Sequence, residues 1–226
     1  MVGDFGSFLN ECREIAVDEG TLLTAKFDAE ELTGIDLPFD PPAHLERAIP
    51  KRKAEYTAAR LLAWRIQESH GATPSNVGTG PKRAPIWPAG WSGSISHTGP
   101  YVAVWMSRSP NALMGLDIET VAKSKSLEAI CSMVLQPAEL EVLGSDAWVL
   151  TAAFSAKECL YKCLFPQVGR FFGFESARVT TFNRHSISLQ LTESLDQKLP
   201  KDSIFRVAVS REKSFVMTTL FVGELL

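Results

Sequence analysis

Two spacings of apolar residues divide the chain into helical and extended stretches. Over residues 51–69, KRKAEYTAARLLAWRIQES, the positions Tyr56, Ala59, Leu62, Ala63 and Ile66 fall on one stripe, and Gly71 follows closely, which predicts a helix there. The same period returns over 146–164, where Trp148, Val149, Ala152, Ala153, Ala156, Leu160 and Cys163 form a broad inner face; Ser145 is its candidate N-cap and Pro166 its expected stop. Two shorter helices are expected between them, one over about 125–134 and one opened by Pro137 and closed by Gly144. A period of two marks the strands, at 21–27, 93–97, 101–107 and 113–119, and then at about 176–182, 185–192, 204–210 and 214–222. In the last group Ile187, Leu189 and Leu191, and Phe205, Val207 and Val209, alternate as half-buried antiparallel strands do. Residues 7–15 read as a short helix. Residues 71–93 hold five glycines and four prolines with no period, a long irregular connection of the kind that is functional or disordered, and Trp87 and Trp91 favour packing over disorder.

Chemistry gathers on three of these elements. Asp117 and Glu119 stand two apart on the strand at 113–119, so both carboxylates point to one face and Ile118 to the other. Two like charges about 5–7 Å apart repel unless a cation lies between them, and a hard divalent ion with oxygen ligands is the natural one; a solvated strand end is the plainer alternative. On the long helix Phe154, Glu158 and Lys162 recur every four residues beside Tyr161 and Phe165, a face apolar except for one acid and one base, as in a pocket wall. The first turn of the helix at 51–69 is Lys51-Arg52-Lys53, which opposes the helix dipole and makes sense if an anion docks at that end; Arg52, Tyr56 and Arg60 run up one side, within reach of one phosphate. The bland equivalents are a solvated basic face and an ordinary Glu–Lys pair.

Composition narrows the class. The 226 residues suffice for one domain or two small ones, and 45% hydrophobic with 22% charged residues is ordinary for a soluble globular chain. A net charge of −3 argues against a general nucleic-acid binder. No apolar run reaches the roughly 18 residues that span a membrane, and the first residues carry acids where a secretory signal carries bases. Cys12, Cys131, Cys159 and Cys163 follow no zinc spacing and read as reduced thiols, so a cytoplasmic location is expected.

In order along the chain stand R-K-x-E-[YF] from residue 52, G-x-x-R-x-P-x-W-P at 80–88, G-S-I-S-H at 93–97, G-[LI]-D-[IA]-E at 115–119, and F-[SC]-A-K-E-x-x-Y-K at 154–162, followed by F-P and G-F-E. This series resembles the Sfp-type 4′-phosphopantetheinyl transferases, on the branch with the enterobactin-synthetase component D proteins and the mycobacterial enzyme. It covers residues 50–182; residues 1–45 and the last forty or so match only in length and strand pattern.

The resemblance implies an α+β, pseudo-twofold monomer of two similar α/β halves, residues 1–115 and 116–226, with the active site at their interface. It implies transfer of the 4′-phosphopantetheine arm of coenzyme A to a serine of an apo acyl, peptidyl or aryl carrier protein, with Mg²⁺, or Mn²⁺ in its place, and release of 3′,5′-ADP. Asp117, Glu119 and Glu158 would hold the metal. Arg52, Arg60 and His97, with Ser96 beside it, would take the 3′-phosphate, and Arg83 in the glycine- and proline-rich loop would add charge, with Thr79 where a relative has lysine. Lys162 would meet the pyrophosphate, Lys157 would adjoin the metal, and Phe154 and Tyr161 would line the path of the pantetheine arm. Glu158 or a water on the metal would take the serine proton, and Glu139 matches a further acid of the family. Phe171, Phe172 and Phe174 are candidates for docking a carrier helix. Fatty-acid, polyketide, nonribosomal-peptide and siderophore carriers all remain open as acceptors. Two rivals stand beside this reading: a coenzyme A or carrier-binding module without catalysis, and another Mg²⁺-dependent phosphotransferase.

Overall fold

The computed structural model describes residues 6–33 and 35–225, the side chain of His44 excepted. Packing divides the chain after Pro110 into two compact units. A boundary after residue 115, as expected above, would cut a continuous strand.

The first unit is built on strands β1 (Leu9–Ile15) and β2 (Thr21–Phe27), helix α1 (Pro50–Ser69), a two-residue pair β3 (Gly78–Thr79) and β4 (Pro85–Ile86), and strands β5 (Ser92–Thr98) and β6 (Tyr101–Ser107). The main sheet has the order β1-β2-β6-β5, antiparallel throughout. Helix α1 lies on β6 and β2, burying Ala54, Ala58, Leu61, Leu62 and Ile66 against Val102, Val104 and Met106. Residues 7–15 hold no helix: Leu9–Ile15 pairs with β2 instead. A bulge between Asn10 and Arg13, with Glu11 at φ 50°, breaks the alternation that would have marked this segment as a strand.

Helix α1 opens with Pro50 at its first position and has no side-chain cap at Ile49; the amides of Arg52 and Lys53 reach back to the Ile49 carbonyl, at the end that carries Lys51, Arg52 and Lys53. At the far end Gln67 fastens the following loop, exchanging hydrogen bonds with the carbonyl and amide of Ser75.

The second unit contains β7 (Leu113–Glu119), the short helices α2 (Ser124–Ala129) and α3 (Pro137–Leu143), the long helix α4 (Ala147–Val168), and strands β8 (Ala177–Asn183), β9 (Ser186–Leu191), β10 (Ile204–Arg211) and β11 (Val216–Gly223). The sheet order is β7-β11-β10-β9-β8, again antiparallel. Helix α4 crosses β7, β11 and β10, and its buried side is the face expected from spacing. Two of its limits differ from expectation. Its N-cap is Asp146, not Ser145, with the Val149 amide donating to the Asp146 carboxylate at 3.0 Å. The helix also runs through Pro166 to Val168 and closes on Gly169 at φ 67°, because a proline in the last turn removes only one backbone donor and a left-handed glycine then ends the helix.

The expected helix at 125–134 is α2 followed by one wide turn, Ile130–Val134, in which the Leu135 amide reaches back to the Ile130 carbonyl. The edge strand β8 is blunted by a bulge between Val179 and Thr181, and the Val179 amide donates to Glu139 on α3.

Helix α4 approaches β7 closely at Gly115. A Cβ on Gly115 would lie 2.1 Å from the Cys159 carbonyl oxygen and 2.8 Å from Cys163 Cβ, so glycine is what lets the helix backbone rest on the strand. Gly115→Ala is therefore expected to lower the unfolding free energy by about 1–3 kcal/mol, the usual cost of overpacking a core, read from the shift of a urea midpoint. An unshifted midpoint would show that helix and strand have room to part.

Candidate active site

Each unit brings one group of charged side chains together. In the first, α1 and β5 supply Arg52, Glu55 and His97. Arg52 Nη1 donates to Glu55 Oε2 at 3.2 Å and to His97 Nε2 at 3.2 Å. His97 Nδ1 lies 3.6 Å from Glu55 Oε1, and Lys51 Nζ is 4.0 Å from the same oxygen. Arg52 and His97 are partly exposed, whereas Glu55 is 8% exposed and forms the floor. Glu55 belongs to the R-K-x-E stretch, yet no role had been read for it; an acid one turn after a basic helix start was the available signal.

The other cations expected on this unit are placed differently. Arg60 is 9% exposed, stacks on Tyr56 with its guanidinium carbon 3.8 Å from the ring centre, and donates to the carbonyls of Val77 and Gly78. Burial lowers its pKa, with Tyr56 pulling the other way. Its visible work is to brace the segment before β3. Arg83 is exposed at the tip of the β3–β4 turn, where Lys82 and Arg83 both adopt positive φ. Ser96 is buried and, being next to His97 on a strand, points to the opposite face, so the two side chains cannot serve one ligand.

In the second unit β7 presents Asp117 to α4. Lys162 Nζ donates to Asp117 Oδ1 at 2.7 Å, and Ser155 Oγ donates to Asp117 Oδ2 at 2.7 Å. Ser155 is itself fixed by Thr218 of β11, oxygen to oxygen at 2.9 Å, while the Thr218 hydroxyl also reaches the Ser155 carbonyl. Ser155 and Thr218 are fully buried, Asp117 is 3% exposed, and Lys162 keeps 28% of its side-chain surface. Glu158 joins this pair. Burial pushes its carboxyl above the ordinary range, the Asp117 carboxylate pushes the same way, and Lys162 pulls it down. Glu119, half-buried, ends the strand on the same face as Asp117.

Among the described residues no three His, Cys, Asp or Glu side chains are gathered into a ready metal cage. The donor chemistry nevertheless suits a hard cation: two carboxylates crowd each other beside a movable ammonium, and Mg²⁺ is commonly held by one or two carboxylates with the remaining ligands from phosphate and water.

Lys157 is not among these groups. It is 3% exposed, and its ammonium donates to Glu139, to the Val134 carbonyl and to the Phe174 carbonyl at 3.0, 3.0 and 3.2 Å. Glu139 in turn accepts from the amides of Gln136 and Val179. Burial lowers the Lys157 pKa while Glu139 raises it. This pair ties α3, the wide turn, α4 and β8 together; the wide turn leaves the Val134 carbonyl to Lys157.

Two hollows lie along α4. One, of about 300 Å³, is lined by Glu158, Leu160, Tyr161, Phe171, Phe172 and Phe174. Tyr161 stacks among Phe165, Phe171 and Phe172 at 4.9–5.8 Å between ring centres. The other, an open groove of about 720 Å³, is lined by Glu119, Val121, Ile130, Met133, Phe154 and Phe174 among others. Phe154 and Tyr161 thus line separate hollows that share Phe174. Of the three candidate docking rings, Phe171 is 71% exposed and Phe172 is buried.

Residues 40–107 match the family model of the 4′-phosphopantetheinyl transferase N-terminal domain, and residues 113–219 match that of the 4′-phosphopantetheinyl transferase superfamily. Enterobactin synthase component D of Salmonella typhi is 36% identical over 172 residues, which is 73% of this chain and 70% of the relative. The protein of the same description from Salmonella typhimurium is 31% identical over 195 residues, 84% of this chain and 81% of the relative. The 4′-phosphopantetheinyl transferase Npt of Nocardia iowensis is 31% identical over 170 residues, 71% and 75% of the two chains.

Removing the ammonium of Lys157 leaves a buried carboxylate without its cation. Lys157→Ala is expected to cost about 3–5 kcal/mol of unfolding free energy, measured by urea denaturation. A loss below about 1 kcal/mol would show that the pair is solvated and does not brace the helix.

Proposed function

This chain belongs to the 4′-phosphopantetheinyl transferase superfamily, an enzyme that transfers 4′-phosphopantetheine from coenzyme A to carrier proteins, and we propose that its two charged groups grip opposite ends of the coenzyme A donor. The observation that carries this reading is the meeting of Asp117, Glu158 and Lys162 where β7 touches α4. Arg52 and His97, held side by side, take the 3′-phosphate; two polar groups suit a dianion better than either alone. The Asp117 group takes the pyrophosphate.

Asp117 and Glu158, with Glu119 at the strand end, would hold Mg²⁺, whose charge offsets that of the pyrophosphate. Lys162 turns from Asp117 to the phosphate that leaves, stabilising the charge that builds on 3′,5′-ADP. The carrier serine Oγ attacks the phosphorus bearing the pantetheine arm, and the bond from that phosphorus to the bridging oxygen of ADP breaks in line. Glu158 or a water on the metal would receive the serine proton. Tyr161 and its aromatic neighbours offer an apolar wall to the pantetheine arm. Phe171, exposed at that hollow, offers a docking ring to the carrier, and the similarity to enterobactin synthase component D favours a carrier of siderophore assembly. The enzyme works as a cytoplasmic monomer; among the described residues no helix is long and apolar enough to cross a membrane, and the four cysteines are unpaired.

Incubation with coenzyme A, Mg²⁺ and a panel of apo-carriers should add one phosphopantetheine arm to the carrier serine, read by intact mass. Lys162→Ala and Glu158→Ala should each reduce kcat by about two to three orders of magnitude, on the scale of removing one charge-stabilising group. A Glu158→Ala enzyme with near-normal turnover at saturating Mg²⁺ would take this carboxylate out of the mechanism.

A further inference from the structure

Glu55 is an anion buried where the reading above places an anion-binding site. Its carboxylate is 8% exposed and within 4.0 Å of three cationic or basic groups, Lys51, Arg52 and His97. In simple electrostatic terms it weakens the positive field that a phosphate would feel, so its place there calls for another account. The hydrogen-bond pattern supplies one. A guanidinium can only donate, so the 3.2 Å contact between Arg52 Nη1 and His97 Nε2 makes Nε2 the acceptor and leaves the ring proton on Nδ1. Nδ1, with that proton, lies 3.6 Å from Glu55 Oε1, while the other oxygen accepts from Arg52 at 3.2 Å. The same carboxylate therefore sets the direction of the guanidinium and the orientation of the imidazole.

Its surroundings hold the carboxylate still. Glu55 lies one turn into α1, between the buried residues Ala54 and Tyr56, whereas Arg52 and His97 keep 40% and 35% of their side-chain surface. A buried acid that contacts both of these more exposed side chains is what keeps them converged. Without it, Arg52 would sample solvent and the ring would lose its fixed orientation, and each binding event would have to order both.

We propose that Glu55 is a positioning residue for the 3′-phosphate of coenzyme A: it touches no ligand itself and acts by pre-setting Arg52 and His97. The proposal rests on the reading that these two bind that phosphate, and the test separates the two statements. Calorimetric Kd values for coenzyme A and for 3′-dephospho-coenzyme A, at fixed Mg²⁺, give a selectivity ratio for each protein. In the parent the ratio should favour coenzyme A clearly. Glu55→Gln keeps size and burial but removes the charge, and should reduce the ratio about tenfold. In an Arg52→Ala/His97→Ala background the same substitution should change the ratio by less than twofold, because nothing is left for it to position. Thermal unfolding of each variant identifies any that fail to fold, and Glu55→Asp, which keeps the charge, should recover part of the lost ratio.

A parent that binds the two ligands equally would discard the 3′-phosphate reading and this inference with it. A selective parent whose Glu55→Gln variant keeps its ratio, or weakens for both ligands alike, would overturn the positioning role and leave the phosphate reading standing. An undiminished effect of Glu55→Gln in the doubly substituted background would overturn it too, by showing that Glu55 acts through other groups.

Discussion

The carboxylate of Asp117 is held from two sides, by a buried serine hydroxyl and by a lysine ammonium, both on α4. The rest of the second unit follows from that grip. It requires α4 to lie with its backbone against β7, which Gly115 alone permits at that crossing, and it requires Thr218 on the neighbouring strand to hold Ser155 from behind. Once helix and strand are in that register, Glu158, three residues on from Ser155, comes beside Asp117 without further device, and Lys162 closes over both. An acid pair that would repel in water is eased here because one partner is tied to an ammonium, while burial raises the other's pKa. On the proposed reading, Asp117 and Glu158 would hold a divalent cation, which would supply positive charge to the pyrophosphate, and Lys162 would meet the phosphate.

The same logic organises the first unit's group. There too the buried partner is an acid, Glu55, and the more exposed partners are Arg52 and His97. In both groups one charged partner is partly exposed, and the other is buried and tied to rigid secondary structure. The Lys157–Glu139 pair differs from both. It is closed on all sides by backbone carbonyls and amides, so its role is to join α3, α4 and β8.

Much of the architecture was legible from spacing. The helix stripe of α1, the inner face of α4 and the alternation of β9 and β10 are direct consequences of burial on one side, and each is recovered where expected. Misses have local causes. A bulge disguised β1; a proline tolerated in a last turn extended α4; a wide turn divided one expected helix. The candidate site was legible as residue types and spacings, and Asp117, Glu158 and Lys162 do meet. What spacing cannot reveal is which charged side chain turns inward. Lys157 and Glu158 are adjacent, but a helix directs neighbours about 100° apart, and only the packing of α3 and β8 decides that the lysine is the buried one. Ser96 was paired with His97 by proximity in the chain, although the strand period places them on opposite faces. Glu55 and Ser155 escaped notice because their contribution is made through other side chains.

The central claim is that Asp117 and Lys162 act as one unit on the pyrophosphate. A double-substitution cycle on kcat tests it most directly, comparing Asp117→Asn, Lys162→Ala and the double variant with coenzyme A and one apo-carrier. The account predicts strong non-additivity, with the double variant about as slow as the slower single one, as for groups that work together. Two losses that simply multiply would contradict it, because each residue would then be serving the reaction on its own.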